Sequence, residues 1–229
     1  NENEIRLIDL DNPLIKPKIF LERFENHLYY LEHVDSENFY ILSNHNAPNF
    51  KVLKTDTLLD LSISDMDVVI DHNSKIFIND IFYKKNNLIL EIRDNGLPEI
   101  SIFNLSTQDT YRVIHEDNAY TININNNNVD YSDEGFYFNY SSLTTPDSIK
   151  YFNLSSMSYS TVWQKEILGF NDKQYSDKRF FYQARDGVNI PAIIFYKNKY
   201  LKNLGYTVFL YNLNYYIAQH ELKQLCHQE

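Results

Sequence analysis

Glycine is scarce, with 5 in 229 residues, at Gly96, Gly135, Gly169, Gly187 and Gly205. No two stand four apart, which excludes a nucleophile elbow of the form Gly-x-Ser-x-Gly, whose strained turn needs both. Five scattered glycines do not make a phosphate cradle either. The single cysteine, Cys226, excludes an internal disulfide and a cysteine-based zinc site, and fits a reducing, cytoplasmic compartment. Basic residues are a minority, 21 against 31 acidic, and a net charge of −10 argues against a nucleic-acid partner because no basic field displaces counterions. No window approaches the roughly 18 apolar residues of a membrane span. Asn1-Glu-Asn-Glu4 lacks the basic and apolar regions of a signal peptide, so the sequons at Asn104, Asn139 and Asn153 read as chance. The chain begins without Met, and its numbering is expected to start inside a longer reading frame or after trimming.

What the chain has in quantity is asparagine, isoleucine, lysine and aromatics, with 15% aromatic and 43% hydrophobic residues, enough for a sizeable core. That skew reads as a biased nucleotide pool, with asparagine standing where glycine usually would, since it tolerates the left-handed backbone region best among ordinary residues. From Ile5 to Phe209 one theme repeats, a short alternating β-branched or aromatic run followed by a polar turn. The alternation predicts strands over 4–9, 19–23, 27–32, 38–43, 50–55, 68–71, 75–83, 87–93, 99–104, 111–115 and 120–125. It predicts further strands over 136–140, 148–153, 161–167, 179–185, 189–196 and 207–211. Such spacing suggests a sandwich, barrel or propeller, and the recurrence of four-strand groups without a disulfide or tryptophan signature favours the propeller.

Local chemistry is sparse. The Asn-rich run Thr121 to Val129 reads as a strand that ends in a flexible turn. Asp65, Asp67 and Asp71 lack the glycine and glutamate of a calcium loop. His220-Glu221 opens like a zinc helix, but Gln224 stands where the second histidine belongs, and Cys226-His227 is an adjacent pair that makes no site. Tyr215, Ala218, Leu222 and Leu225 fall at spacings of three and four behind a capping Asn214, which predicts a short C-terminal helix over 212–229. No metal and no cofactor is expected, and no catalytic residue is assigned.

Two stretches carry a resemblance. Gly135-Phe-Tyr-Phe-Asn-Tyr140 alternates as a strand, and Ser141-Ser-Leu-Thr-Thr-Pro146 follows as a turn in which hydroxyls bond nearby backbone. Later, Ala184-Arg-Asp-Gly-Val-Asn-Ile-Pro191 sets an Asp-Gly turn between two apolar-rich runs, a hairpin signal. Tyr140 to Pro146 resembles the end of the β-propeller in the prolyl oligopeptidase family of serine peptidases, and Arg185-Asp-Gly187 with Pro191 resembles the start of its catalytic domain. The nearest branch is oligopeptidase B, through Phe39-Tyr-Ile-Leu-Ser-Asn44, Ala47-Pro-Asn-Phe-Lys51 and Leu88-Ile-Leu-Glu-Ile-Arg93 followed by Gly96-Leu97.

The resemblance implies an all-β, partial β-propeller, the last three or four blades of a seven-bladed one, with a short C-terminal extension. Its implied divisions are a propeller over 1–178, the start of an α/β-hydrolase domain over 179–211, and a divergent tail over 212–229. Family members screen short peptides through the propeller and cleave them at a Ser-Asp-His triad, after Lys or Arg in the oligopeptidase B branch. None of the triad falls on a position of this chain. Thr207 to Tyr216 resembles a degraded copy of a family strand end in which a tyrosine serves the oxyanion hole; Leu213 stands at that position, flanked by Asn212 and Asn214, and leucine donates no hydrogen bond. Asp186 reads as a turn residue.

The expected role is therefore a size-screening propeller, inactive alone, with a separately encoded hydrolase domain as its partner and short basic peptides as substrates only when that domain is present. Neither nucleic acid nor membrane is an expected partner. The rival expectations are a decayed remnant and a free-standing binding module capped by the C-terminal helix.

Overall fold

The computed structural model describes residues 2–12, 14–35, 38–57, 62–124, 133–200 and 209–211. The predicted helix over 212–229, with Leu213 and Cys226, lies outside them, as does Gly205. Two compact units divide the chain, Asn1–Val113 with Asn126–Phe136, and Ile114–Asn125 with Tyr137–Glu229. Among the described residues, no helix is long and apolar enough to cross a membrane.

The first unit opens with a two-stranded antiparallel sheet, β1 (Arg6–Leu7) and β2 (Lys18–Ile19). Two four-stranded meanders follow in chain order. One is β3 (Tyr29–Asp35), β4 (Asn38–Ser43), β5 (Lys51–Thr55) and β6 (Asp67–Ile70). The next is β7 (Ile76–Lys84), β8 (Asn87–Asp94), β9 (Leu97–Asn104) and β10 (Thr110–Arg112).

The alternation along β4 and β5 decides what each face of the first meander meets. Tyr40, Leu42 and Val52 pack with Ile78, Leu88, Leu90 and Ile92 of the next sheet, while Phe39, Ile41 and Leu53 pack with Phe20, Leu21, Tyr29 and Met66. A sheet buried on both faces reads as a near-continuous apolar run, as Phe39-Tyr-Ile-Leu42 does.

The second unit holds a third four-stranded meander, β11 (Tyr120–Ile124), β12 (Gly135–Ser142), β13 (Ser148–Asn153) and β14 (Ser158–Gln164), save that Gly135 and Phe136 belong to the first unit. A three-stranded sheet, β15 (Tyr175–Gln183), β16 (Asn189–Lys197) and β17 (Phe209–Tyr211), completes it. Successive sheets, each a meander of sequence-adjacent strands, make a partial β-propeller.

Each of the seventeen strands among the described residues overlaps a predicted one. The largest offsets are at β2, which shares only Ile19 with the predicted 19–23, and at β15, which begins at Tyr175, upstream of the predicted 179; β14 begins at Ser158, upstream of the predicted 161. A bulge between Ile149 and Lys150 breaks the pairing opposite Val162, so the alternation of β14 shifts phase midway. In β15 the run Ser176-Asp-Lys-Arg179 is too polar to signal a strand, yet it pairs in full register with β16.

Asparagine does take the left-handed positions. Asn26, Asn46, Asn86 and Asn95 all have positive φ, between 49° and 60°. Lys85-Asn86 and Asn95-Gly96 each place two such residues between paired strands, the turn geometry that matches strand twist. Phe50 is the outlier, since φ of 66° is costly for a bulky side chain. Its ring, buried in the core between the two meanders and edge-on to Phe77 at 5.5 Å, offsets that cost.

Candidate functional site

The stretch from Tyr140 to Pro146 is organised by a residue well before it in sequence. Asp117, on the approach to β11, accepts the Tyr140 hydroxyl at 2.6 Å, Thr144 Oγ1–H at 2.7 Å and Thr145 Oγ1–H at 2.9 Å. Ser142 Oγ accepts the backbone N–H groups of Thr144 and Thr145 at 3.1 and 2.8 Å, and Ser142 N–H donates to Thr145 O, which closes the turn. Ser148, buried at the start of β13, donates to Tyr140 O at 2.9 Å. Pro146 needs no donor here. Burial works against the Asp117 charge, but the hydroxyls of Tyr140, Thr144 and Thr145 overcome it and hold the carboxyl below its ordinary range. Burial, reinforced by Asp117, pushes the Tyr140 phenol up.

An aromatic layer lies beside this network. The His115 ring stacks on Tyr140 at 5.1 Å and meets Tyr120, Tyr159 and Phe138. Neither buried ring nitrogen of His115 has a hydrogen-bond partner among the described residues. Burial, with Lys150 adding to it, lowers its pKa to about 4. The Lys150 ammonium lies 4.7 Å from the Tyr140 ring centre and 4.8 Å from that of Tyr159. These groups fix a strand end. The carboxylate is engaged by three hydroxyls.

The Arg185-Asp-Gly187 turn joins β15 to β16. Asp186 Oδ1 accepts Val188 N–H at 3.0 Å, Gly187 N–H donates to Ala184 O at 2.9 Å, and Gly187 takes φ of 85°. Asp186 thus acts as a turn residue. Asp65 lies in a short 3-10 turn and Asp67 in β6, while Asp71 accepts its neighbour His72 N–H; these carboxylates do not converge. Among the described residues, no three His, Cys, Asp or Glu side chains gather as for a metal ion.

In the first unit, Lys84 is fully buried and reaches Asp133 at 3.6 Å, while Lys85 binds Glu134 at 2.7 Å. Buried His27 meets Ser43 Oγ at 2.9 Å through Nε2, and burial lowers its pKa to about 4. Glu32, which accepts Tyr83 N–H at 2.7 Å, is pushed up to about 6 by burial. Asp117, His115 and Lys150 carry no sequence signal of their own, because their partners are reached only through the folded meander.

Successive four-stranded meanders, with a strand end held by the half-buried Asp117 carboxylate and an Asp-Gly hairpin further along, make a partial β-propeller. The prolyl oligopeptidase N-terminal β-propeller domain matches residues 1–165, and the chain belongs to the prolyl oligopeptidase family. Protease 2 of Moraxella lacunata is 26% identical over 215 residues, 93% of this chain and 30% of that protein. Oligopeptidase B from Leishmania major superposes with a TM-score of 0.76 at 24% identity, covering 86% of this chain and 29% of that one. Oligopeptidase B from Trypanosoma brucei gives 0.75 at 22%, with the same coverage. The chain spans under a third of each of these relatives, and it stands on the oligopeptidase B side of the family.

Proposed function

We propose that this chain is the propeller part of an oligopeptidase B-like serine peptidase of the cytoplasm, which admits short peptides by size to a hydrolase domain that cleaves after Lys or Arg. In this reading 1–178 is the propeller, 179–211 is the start of the hydrolase domain, and the triad is supplied by a hydrolase domain outside these residues. The reading is supported above all by the Asp117-held strand end leading into the Arg185–Gly187 hairpin, the order in which the family passes from screen to catalyst.

The purified chain is expected to leave Arg- and Lys-ending chromogenic peptides intact and to resist a serine-directed fluorophosphonate. Affinity capture from source-cell lysate should retain a protein that labels with that reagent and carries Gly-x-Ser-x-Gly. Labelling of the purified chain itself would overturn this proposal.

A decayed remnant is the second reading, favoured by Leu213 where the family has an oxyanion-hole tyrosine. The intact set of three hydroxyl bonds on Asp117 weighs against it, since drift at any one donor breaks the set. Failure to recover a cooperative unfolding transition would favour the remnant.

A further inference from the structure

Two adjoining chambers lie in the first unit between the β3–β6 and β7–β10 sheets. The larger has a volume of about 540 Å³ and the smaller about 220 Å³, and Val69 of β6 and Phe103 of β9 line both. The larger falls within the size range of small-molecule sites.

Their chemistry differs. Lys54 of β5 lines the larger chamber, and no carboxylate does, in a chain with 31 acidic residues against 21 basic. Lys54 makes no ion pair among the described residues, although Asp67 is its cross-strand neighbour. Gln108 lines the same chamber, and its side chain makes no hydrogen bond among the described residues. A cation and an amide so placed are left with donors to give.

The smaller chamber is largely apolar, with Ile78, Leu90 and Ile92 buried in its wall and Asp71 its one carboxylate. Its one cation, Arg112, is already engaged by Glu99 at 2.7 Å. A positive charge without an ion pair among the described residues in one chamber, and a largely apolar space that shares Val69 and Phe103 with it, suit a molecule with a single anionic head and a short apolar chain.

We propose that this crevice binds a small monoanionic amphiphile, its carboxylate at Lys54 and its chain directed past Val69 and Phe103 into the apolar chamber. The test is calorimetric titration of the chain with sodium octanoate and, separately, octan-1-ol. One saturable octanoate site is expected, weakened about tenfold or more in Lys54→Met, as for loss of a charged hydrogen bond. The weaker octan-1-ol binding should not change in that variant, and Val69→Trp should weaken both ligands. Absence of saturable octanoate binding, or equal octanoate affinity in Lys54→Met and the parent, would sink the proposal. Should Val69→Trp fail to fold, the Lys54→Met comparison decides alone, with far-ultraviolet circular dichroism and its urea unfolding midpoint checking that this variant keeps its fold.

Discussion

The β3–β6 and β11–β14 sheets are built to the same plan and secured by different means. The first is gripped on both faces by aliphatic and aromatic side chains, with Ile41, Leu42 and Val52 fully buried. The second keeps a buried row, Phe136, Phe138 and Tyr140, but its edge strand β14 is largely exposed, Trp163 included, and its turn hangs on Asp117. Apolar burial is non-directional and tolerates compensation by neighbours, whereas a hydrogen-bonded carboxylate depends on each partner. The two units should therefore fail under different insults. Trp163, the only tryptophan, lies in the second unit and reports on it directly.

The largest expected effect is in the first unit. Leu88→Ala, at a fully buried position in the core between β3–β6 and β7–β10, should cost about 2–5 kcal/mol, read from urea unfolding by far-ultraviolet circular dichroism. A loss under about 1 kcal/mol would mean that this core is loosely packed. Next comes Asp117→Ala, at about 2–3 kcal/mol, the scale of hydrogen bonds to a charged group, followed by Trp163 emission. Asp117→Asn should cost less, because an amide oxygen still accepts. Equal losses for the two would show that the charge, not the acceptor geometry, holds the turn.

Acid should separate the units further. The unfolded chain protonates a histidine near pH 6.5, while folded His115 does so only near 4, so stability falls as the pH drops through that interval. Asp117, whose folded pKa is depressed, withdraws its contribution at still lower pH. In the first unit His27 acts like His115, but Glu32 opposes it: its folded pKa of about 6 lies above the ordinary 4.5, so protonation favours the folded state as pH falls from 6 to 4.5. Trp163 emission should accordingly change at a higher pH than the bulk of the dichroism signal. The reverse order would refute the assignment of acid sensitivity to His115 and Asp117.

The smallest expected effect concerns the turns. Asn26 has φ of 59° before buried His27, so Asn26→Ala should cost about 1 kcal/mol and Asn26→Gly close to nothing, by thermal unfolding. Similar losses for both would place the contribution in the asparagine side chain instead of its backbone tolerance.

Much of this architecture was readable from residue order, because it is local. Phe136, Phe138 and Tyr140 alternate with exposed Tyr137 as a period of two requires, and Asn95-Gly96 forms the hairpin turn its composition specifies. Ser142 bonds the nearby backbone as the serine-threonine run suggests. What order could not convey is non-local. Nothing near Asp117 announces three hydroxyls that arrive with Tyr140, Thr144 and Thr145, and nothing near Phe50 signals a left-handed backbone, which the core beyond it sustains. The polar run at the start of β15 was likewise hidden, since pairing with Phe195, Ile194 and Ile193 makes it a strand.

The meander order also sets how the protein can be assembled during synthesis. Every described sheet pairs strands adjacent in sequence, so each can close its ladder soon after its last strand leaves the ribosome, with short loops to order. The face formed by Tyr40, Leu42 and Val52 must nonetheless wait for Ile78 to Ile92 before it is covered. A nascent chain arrested between β6 and β7 would hold a finished sheet with one uncovered apolar face, and it is at that length that chaperone binding should peak.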